Sequence, residues 1–351
     1  MKAHLKTQPM ETEVITLNEE RNVTLTAFLQ PAGEWYDFIT KRPAVLILPG
    51  GGYQRHQDRE AEPVAFPYLA AGYQAFILRY SVAEHATWPN PLDDCDQALK
   101  LIREKSDEWL VYPDKIAVIG FSAGGHLAAA SATMGTERPD AAIIGYGAVG
   151  SGMMEGFPSP SEAVDEHTSP CFVFAARDDG ACPIAGSIEF LGALAKYSIS
   201  FESHIYSYGG HGWSTGNPGT QTVTMPHTAR ASDWVQDSIG WLGELFGTFD
   251  GKGGMTEPVV GQHSVDDYEP YLSTMCTLGK IASVPEAMAA VGTALAGAGV
   301  DLSAAAGQTA EMSDWVKAMR LYDILHFSHL VSDEFIAELD AELRTIANPT
   351  A

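Results

Sequence analysis

Gly120-Phe121-Ser122-Ala123-Gly124 lies between a strand-like apolar run, KIAVIG, and a helix-forming run, HLAAASA. A G-x-S-x-G pentad in that setting demands a sharp strand-to-helix turn. The serine takes a strained backbone conformation, and small residues two positions to either side avoid the neighbouring strand and helix. A chain with such a turn is committed to alternating strands and helices, and its serine hydroxyl stands exposed above the sheet. The first turn of the following helix also aims free amides, that of Ala123 included, at negative charge developing beside the serine.

The rest of the chain agrees with that commitment. Val14 to Gln30 mixes polar and β-branched residues, as antiparallel edge strands do. AVLIL (Ala44 to Leu48) reads as a buried strand that breaks into Pro49-Gly50-Gly51-Gly52. QAFILRY, KIAVIG, AAIIGYG, CFVFAA and SFESHIYSY follow as strands, separated by helices such as Pro91 to Glu104, whose Leu92, Cys95, Ala98, Leu99 and Ile102 share one face. Strands taking turns with helices predict a mostly parallel sheet with helices on both faces. An amphipathic helix over Ser232 to Phe246 closes this core, and glycines enrich the stretch after it. The expected division is a catalytic domain over 1–248, a glycine-rich linker over 249–262 and a C-terminal all-α domain over 263–351. Helices are predicted there over Tyr268 to Ile281, Pro285 to Ala298, Met312 to Leu330 and Ser332 to Ile346.

Charge narrows the partners. With 21 Lys and Arg against 45 Asp and Glu, the formal net charge is −24, which repels phosphate backbones and anionic lipids and argues against nucleic-acid or membrane partners. No apolar run reaches the roughly 18 residues needed to span a bilayer, and MKAHLKTQPMETEV lacks the apolar centre of a secretion signal, so the cytoplasm is the expected compartment. Cys95, Cys171, Cys182 and Cys276 lie far apart, without a CxxC pair, and read as free thiols. His326 and His329 have helical metal-ligand spacing but lack a recognisable ligand motif, so no metal is expected.

A serine hydroxyl is a weak nucleophile near neutrality. It needs a histidine to accept its proton and a carboxylate to set that histidine's tautomer. His211, in the glycine loop Gly209-Gly210-His211-Gly212-Trp213 after the last strand, is the candidate base. Asp178 and Asp179 follow the strand CFVFAA, where the orienting acid belongs, and spacing alone does not separate them. Gly51 and Gly52 supply amides without side chains and are the candidate oxyanion donors together with Ala123. Tyr53 and Trp213 are candidate substrate-binding aromatics. His126, one helical turn beyond Ser122, reads as a buried packing or hydrogen-bonding residue.

At these residues the chain resembles the α/β-hydrolase esterases related to hormone-sensitive lipase, and within them the acetylesterase and acetyl-xylan-esterase-like group. The shared features run from PGGGY through DREAEPVAFPYLAAGYQAFILRYSV, IAVIGFSAGGHLAA and DDGACP to GGHGW, over roughly residues 14 to 246. The resemblance implies the α/β-hydrolase fold and selects Asp179, four residues before Pro183, as the acid and His211 as the histidine. It also implies cofactor-free hydrolysis of short acyl esters through an acyl-enzyme. The expected substrate is a small-molecule or oligosaccharide ester, above all an acetyl ester such as an acetylated xylo-oligosaccharide. Two features depart from that family: proline stands where many relatives begin their glycine motif with histidine, and the stretch Gly150 to Asp165 is short beside the family's substrate-covering insertion. The helical tail is therefore read as a surrogate cap over the active-site mouth or as a dimerisation element of a homo-oligomer. A peptidase or lactonase with the same triad, and a non-catalytic interaction protein on the same fold, are the competing readings.

Overall fold

Strands that are apolar at every position need cover on both faces, and the central strands here are of that kind. The computed structural model describes residues 9–33, 36, 38–220, 229–300 and 313–349, and it resolves into two compact units, 1–262 and 263–351. In the first, eight strands form one sheet in the order β1-β2-β4-β3-β5-β6-β7-β8. They are β1 (Glu11–Asn18), β2 (Val23–Leu29), β3 (Arg42–Leu48), β4 (Gln74–Arg79), β5 (Val111–Phe121), β6 (Ala141–Gly145), β7 (Cys171–Ala176) and β8 (Phe201–Tyr206). β1 and β2 run antiparallel at one edge, β2 also pairs antiparallel with β4, and every pairing from β4 to β8 is parallel.

The helices of this unit are α1 (Glu62–Ala70), α2 (Asn90–Glu104), α3 (Ala123–Met134), α4 (Ile184–Lys196) and α5 (Trp234–Phe246). The period of two along each strand divides the core. Ala44, Leu46 and Leu48 join the cluster formed with α2, α3 and α4, whereas Val45 and Ile47 join the cluster formed with α1 and α5. Burying both clusters is the main source of stability, at about 25 cal/mol per Å² of apolar surface removed from water. The four cysteines are free and buried.

The glycine-rich stretch expected as a linker is fastened to the first unit. Val259 N donates to Glu244 O at 2.8 Å, Ser200 N donates to Gln262 O at 2.8 Å, and Gly253 pairs with Ile39 in a parallel bridge. Backbone pairing there satisfies groups that a free linker would leave to water.

In the second unit the helices are α6 (Leu278–Ser283), α7 (Pro285–Gly297), α8 (Asp314–Ala318), α9 (Leu321–Ser328) and α10 (Asp333–Leu343). Two expected helices are corrected. The run from Tyr268 becomes helical only at Leu278, because Pro270 has no amide to donate, Tyr271 pairs with Ala347 in an antiparallel bridge, and Thr277 caps α6 by accepting from Lys280 N. The run to Leu330 breaks at Met319 and Arg320, where Arg320 pairs with Thr277 and Met319 O accepts from Leu278 N at 2.8 Å. Its expected start at Met312 lies outside the described residues, as do residues 1–8 of the N-terminal segment. His326 has an acidic neighbour that the sequence does not reveal, with Nδ1 3.2 Å from Asp333 Oδ1. No described helix is long and apolar enough to cross a membrane.

The contact between β3 and the start of α3 sets the position of everything above the sheet. A Cβ on Gly124 would stand 2.1 Å from Leu48 O. Gly124→Ala is expected to destabilise the fold by about 3 kcal/mol or more, as strained overpacking does, and a fall in the urea midpoint measures it.

Candidate active site

Ser122 occupies the bend between β5 and α3 with φ 55 and ψ −117, a region that few non-glycine residues adopt. Its surroundings hold it there. A Cβ on Gly120 would lie 1.9 Å from Gly124 O, so the pentad's two glycines are required by contact with each other as well as with β3. Ser122 N donates to Gly145 O at 3.0 Å, tying the bend to the end of β6.

His211 and Asp179 reach this serine from two other loops. His211 Nε2 lies 2.9 Å from Ser122 Oγ, and His211 Nδ1 lies 2.7 Å from Asp179 Oδ2. A carboxylate only accepts, so Nδ1 carries the proton and Nε2 is left to accept from the serine hydroxyl. The Asp179 side chain has no solvent exposure, and its Oδ1 accepts from the amides of Ala181 and Cys182 at 2.8 Å each. Asp178 does something different. Its Oδ1 accepts from Gly210 N at 3.0 Å and Gly209 N at 2.9 Å, which staples the histidine loop to the acid loop. Those amide bonds, the one from Gly210 first, hold the Asp178 carboxyl below its ordinary range.

The glycine turn after β3 forms the facing wall. Gly51 has φ 134 and Gly52 φ 65, and a Cβ on Gly51 would meet Arg55 O at 2.0 Å. Among the described residues neither amide has a protein acceptor. Ala123 stands at the first position of α3, where no intrahelical acceptor exists. Gly51, Gly52, Ser122 and His211 line one cavity of about 450 Å³, together with Gln54, Arg55, Gln57, Arg59, Glu60 and Gly212.

Tyr53 and Trp213, expected against the substrate, are buried instead. The Tyr53 ring stacks on Phe157 with centroids 4.4 Å apart, and its hydroxyl donates to His126 Nδ1 at 2.8 Å. His126 in turn donates from Nε2 to Pro158 O at 2.8 Å, and burial pushes its pKa down to about 4, so it stays neutral. Trp213 packs on Tyr146 at 4.7 Å and donates to Ala231 O at 2.9 Å. Glycine loops look like open platforms in sequence, yet here the aromatic after each turn points down and anchors it.

Several residues that sequence reasoning missed complete the site. Glu60 is 1% exposed. Its Oε2 accepts from Gly50 N at 2.9 Å and its Oε1 from Tyr146 Oη at 2.8 Å. Tyr146 Oη accepts from Ser214 N at 3.0 Å, and its ring lies edge-on to His211 with centroids 5.1 Å apart. One buried carboxyl thus joins the glycine turn to the support beneath the histidine. Its sequence signal was the acid-rich DREAEP segment, which carries no spacing rule that would mark it. Cys182 touches the Ser122 hydroxyl, and burial raises its thiol to about 12, leaving it an uncharged neighbour.

The profile of the BD-FAE family matches residues 38–146. Endo-1,4-beta-xylanase B of Butyrivibrio fibrisolvens is 26% identical over 211 residues, covering 50% of this chain and 33% of that protein. The acetylxylan esterase of Xylanibacter ruminicola is 24% identical over 240 residues, covering 60% of this chain and 48% of that protein. The chain thus spans between a third and about half of the length of these curated relatives. Among solved structures, MGS-M1, an alpha/beta hydrolase enzyme from a Medee basin deep-sea metagenome library, superposes with a TM-score of 0.65 at 42% identity. That match covers 68% of this chain and 99% of that one.

Glu60 generates a prediction of its own. Burial holds its carboxyl above the ordinary value of 4.5, against the hydrogen bonds from Tyr146 and Gly50. With the folded-state pKa raised, protonation favours the fold, so the contribution is fully present below the unfolded value and lost as pH rises through the folded one. Glutamine does not titrate and offers one acceptor for two donors. Glu60→Gln should therefore be less stable than the wild type at about pH 4, with the gap narrowing toward about pH 8. Urea unfolding at both pH values checks it, and a gap that widens with pH contradicts it.

Proposed function

We propose that this chain, which belongs to the α/β-hydrolase family, is a serine ester hydrolase that removes short acyl groups, acetyl above all, from small or carbohydrate alcohols. The observation that carries the reading is the continuous hydrogen-bonded line from Asp179 through His211 to Ser122, with both spacings below 3 Å. Gly51 and Gly52 of the glycine turn line the same cavity as Ser122 and His211, which supports the reading. The similarity to an acetylxylan esterase supports the acyl class, and a cavity of about 450 Å³ suits a compact ester.

The chemistry follows from the tautomer. Ser122 Oγ attacks the ester carbonyl while its proton passes to His211 Nε2, and the imidazolium is stabilised by the Asp179 carboxylate. Negative charge gathers on the carbonyl oxygen, where the amides of Gly51, Gly52 and Ala123 receive it. Collapse breaks the bond to the alcohol, which leaves with the proton from His211. Water then enters, gives a proton to His211, attacks the acyl-serine and releases the acid as the proton returns to Ser122. No cofactor enters either half of this cycle.

The two aspartates separate the proposal from its neighbours. Ser122→Ala should lower acetate release from an acetylated xylo-oligosaccharide by roughly 10⁴-fold or more. Asp179→Asn should cost about 10³ to 10⁴ in kcat by disturbing the tautomer. Asp178→Asn, which loosens only the loop staple, should cost far less. Steady-state kinetics on folded variants measures all three. Retained turnover in Ser122→Ala, or equal losses for the two aspartates, would sink the assignment.

A further inference from the structure

The cavity beside Ser122 carries two cations that nothing in the triad uses. Arg55 and Arg59 both line it. Among the described residues neither guanidinium forms a hydrogen bond or an ion pair, and Arg59 Nε is buried without a partner. This is unusual for a chain in which 45 acids face 21 bases. Other arginines of the first unit are engaged: Arg21 with Asp94, Arg103 with Glu137 and Arg138 with Asp165. Asp58, the residue before Arg59, turns to Arg79 at 3.5 Å instead. Glu60 feels the charge of Arg59, but its two oxygens are taken by Gly50 N and Tyr146 Oη. An arginine fork left open in a half-enclosed cleft is suited to a carboxylate from outside the protein.

We propose that Arg55 and Arg59 bind a carboxylate carried by the substrate, so that the preferred esters are anionic. The inference rests on the serine-esterase reading above. An acetyl group has no room for a charge, so the carboxylate belongs to the alcohol, and an O-acetylated sugar acid is the carbohydrate form of such a substrate. The overall charge of −24 makes the preference diagnostic, since without local cations this protein would disfavour an anionic ester.

The test compares 4-acetoxybenzoate with 4-acetoxybenzamide, which differ by one charge at nearly the same shape. In the wild-type full chain, kcat/KM for the benzoate should exceed that for the benzamide by about fivefold to tenfold at low salt, and the ratio should shrink in about 0.5 M NaCl. The ratio should fall toward one in Arg55→Gln with Arg59→Gln, and Arg59→Lys should keep part of it. A wild-type ratio of one or less, or a ratio unchanged in the double variant, overturns the inference. So does an equal loss on both esters, which would assign the arginines to the developing oxyanion. Failure to cleave either ester or 4-nitrophenyl acetate instead removes the esterase reading on which the inference stands.

Discussion

Between Leu48 O and the Cα of Gly124 there is no space for a methyl group, and that close approach organises the molecule. It lets α3 start directly against the end of β3, which places the serine bend and the glycine turn side by side. The strained backbone at Ser122 persists because β3, β6 and the two glycines of the pentad surround it. Conformational strain of about 1–3 kcal/mol is small beside the burial of two apolar layers around an eight-stranded sheet.

Above that frame, buried polar groups do the aligning. Glu60, Tyr146 and Ser214 form one chain of hydrogen bonds that runs from the glycine turn to the loop bearing His211. Asp178 supplies a second tie between the acid and histidine loops. Three catalytic candidates on three separate loops need such cross-links, because a loop has few apolar contacts to hold its tip. The arrangement also leaves Asp179 with one oxygen for His211 and the other for two amides, so its orientation is set from both sides. Charge is handled in the same way: acids pair with neighbouring bases across the surface, while the two arginines of the cavity have no ion pair among the described residues.

Much of this was legible from residue order. The G-x-S-x-G pentad between an apolar strand and a helix-forming run implied the bend at Ser122, and the alternating runs implied a parallel sheet, because each signal depends on neighbours a few positions apart. His126 was readable as buried for the same local reason. The tail was less legible. Its helical periodicity persisted through Met319 and Arg320, where pairing with Thr277 and Leu278, far away in sequence, interrupts the helix.

Residue order was enough to specify the fold class, the strained serine and a short set of candidate partners, since these follow from local periodicity and from glycines that steric contact requires. Residue spacing did not separate Asp178 from Asp179 and only the resemblance selected Asp179; the tertiary structure brings Asp179 to His211 and turns Asp178 to the amides of Gly209 and Gly210, because the two side chains leave the loop in different directions. It decided that Tyr53 and Trp213 point into the core, and that Glu60 links two walls of the site from 86 residues before Tyr146. It also decided that Arg55 and Arg59 line the cavity with no ion pair among the described residues. Those outcomes depend on distances between segments remote in the chain, and a pattern of neighbouring residues does not encode such distances.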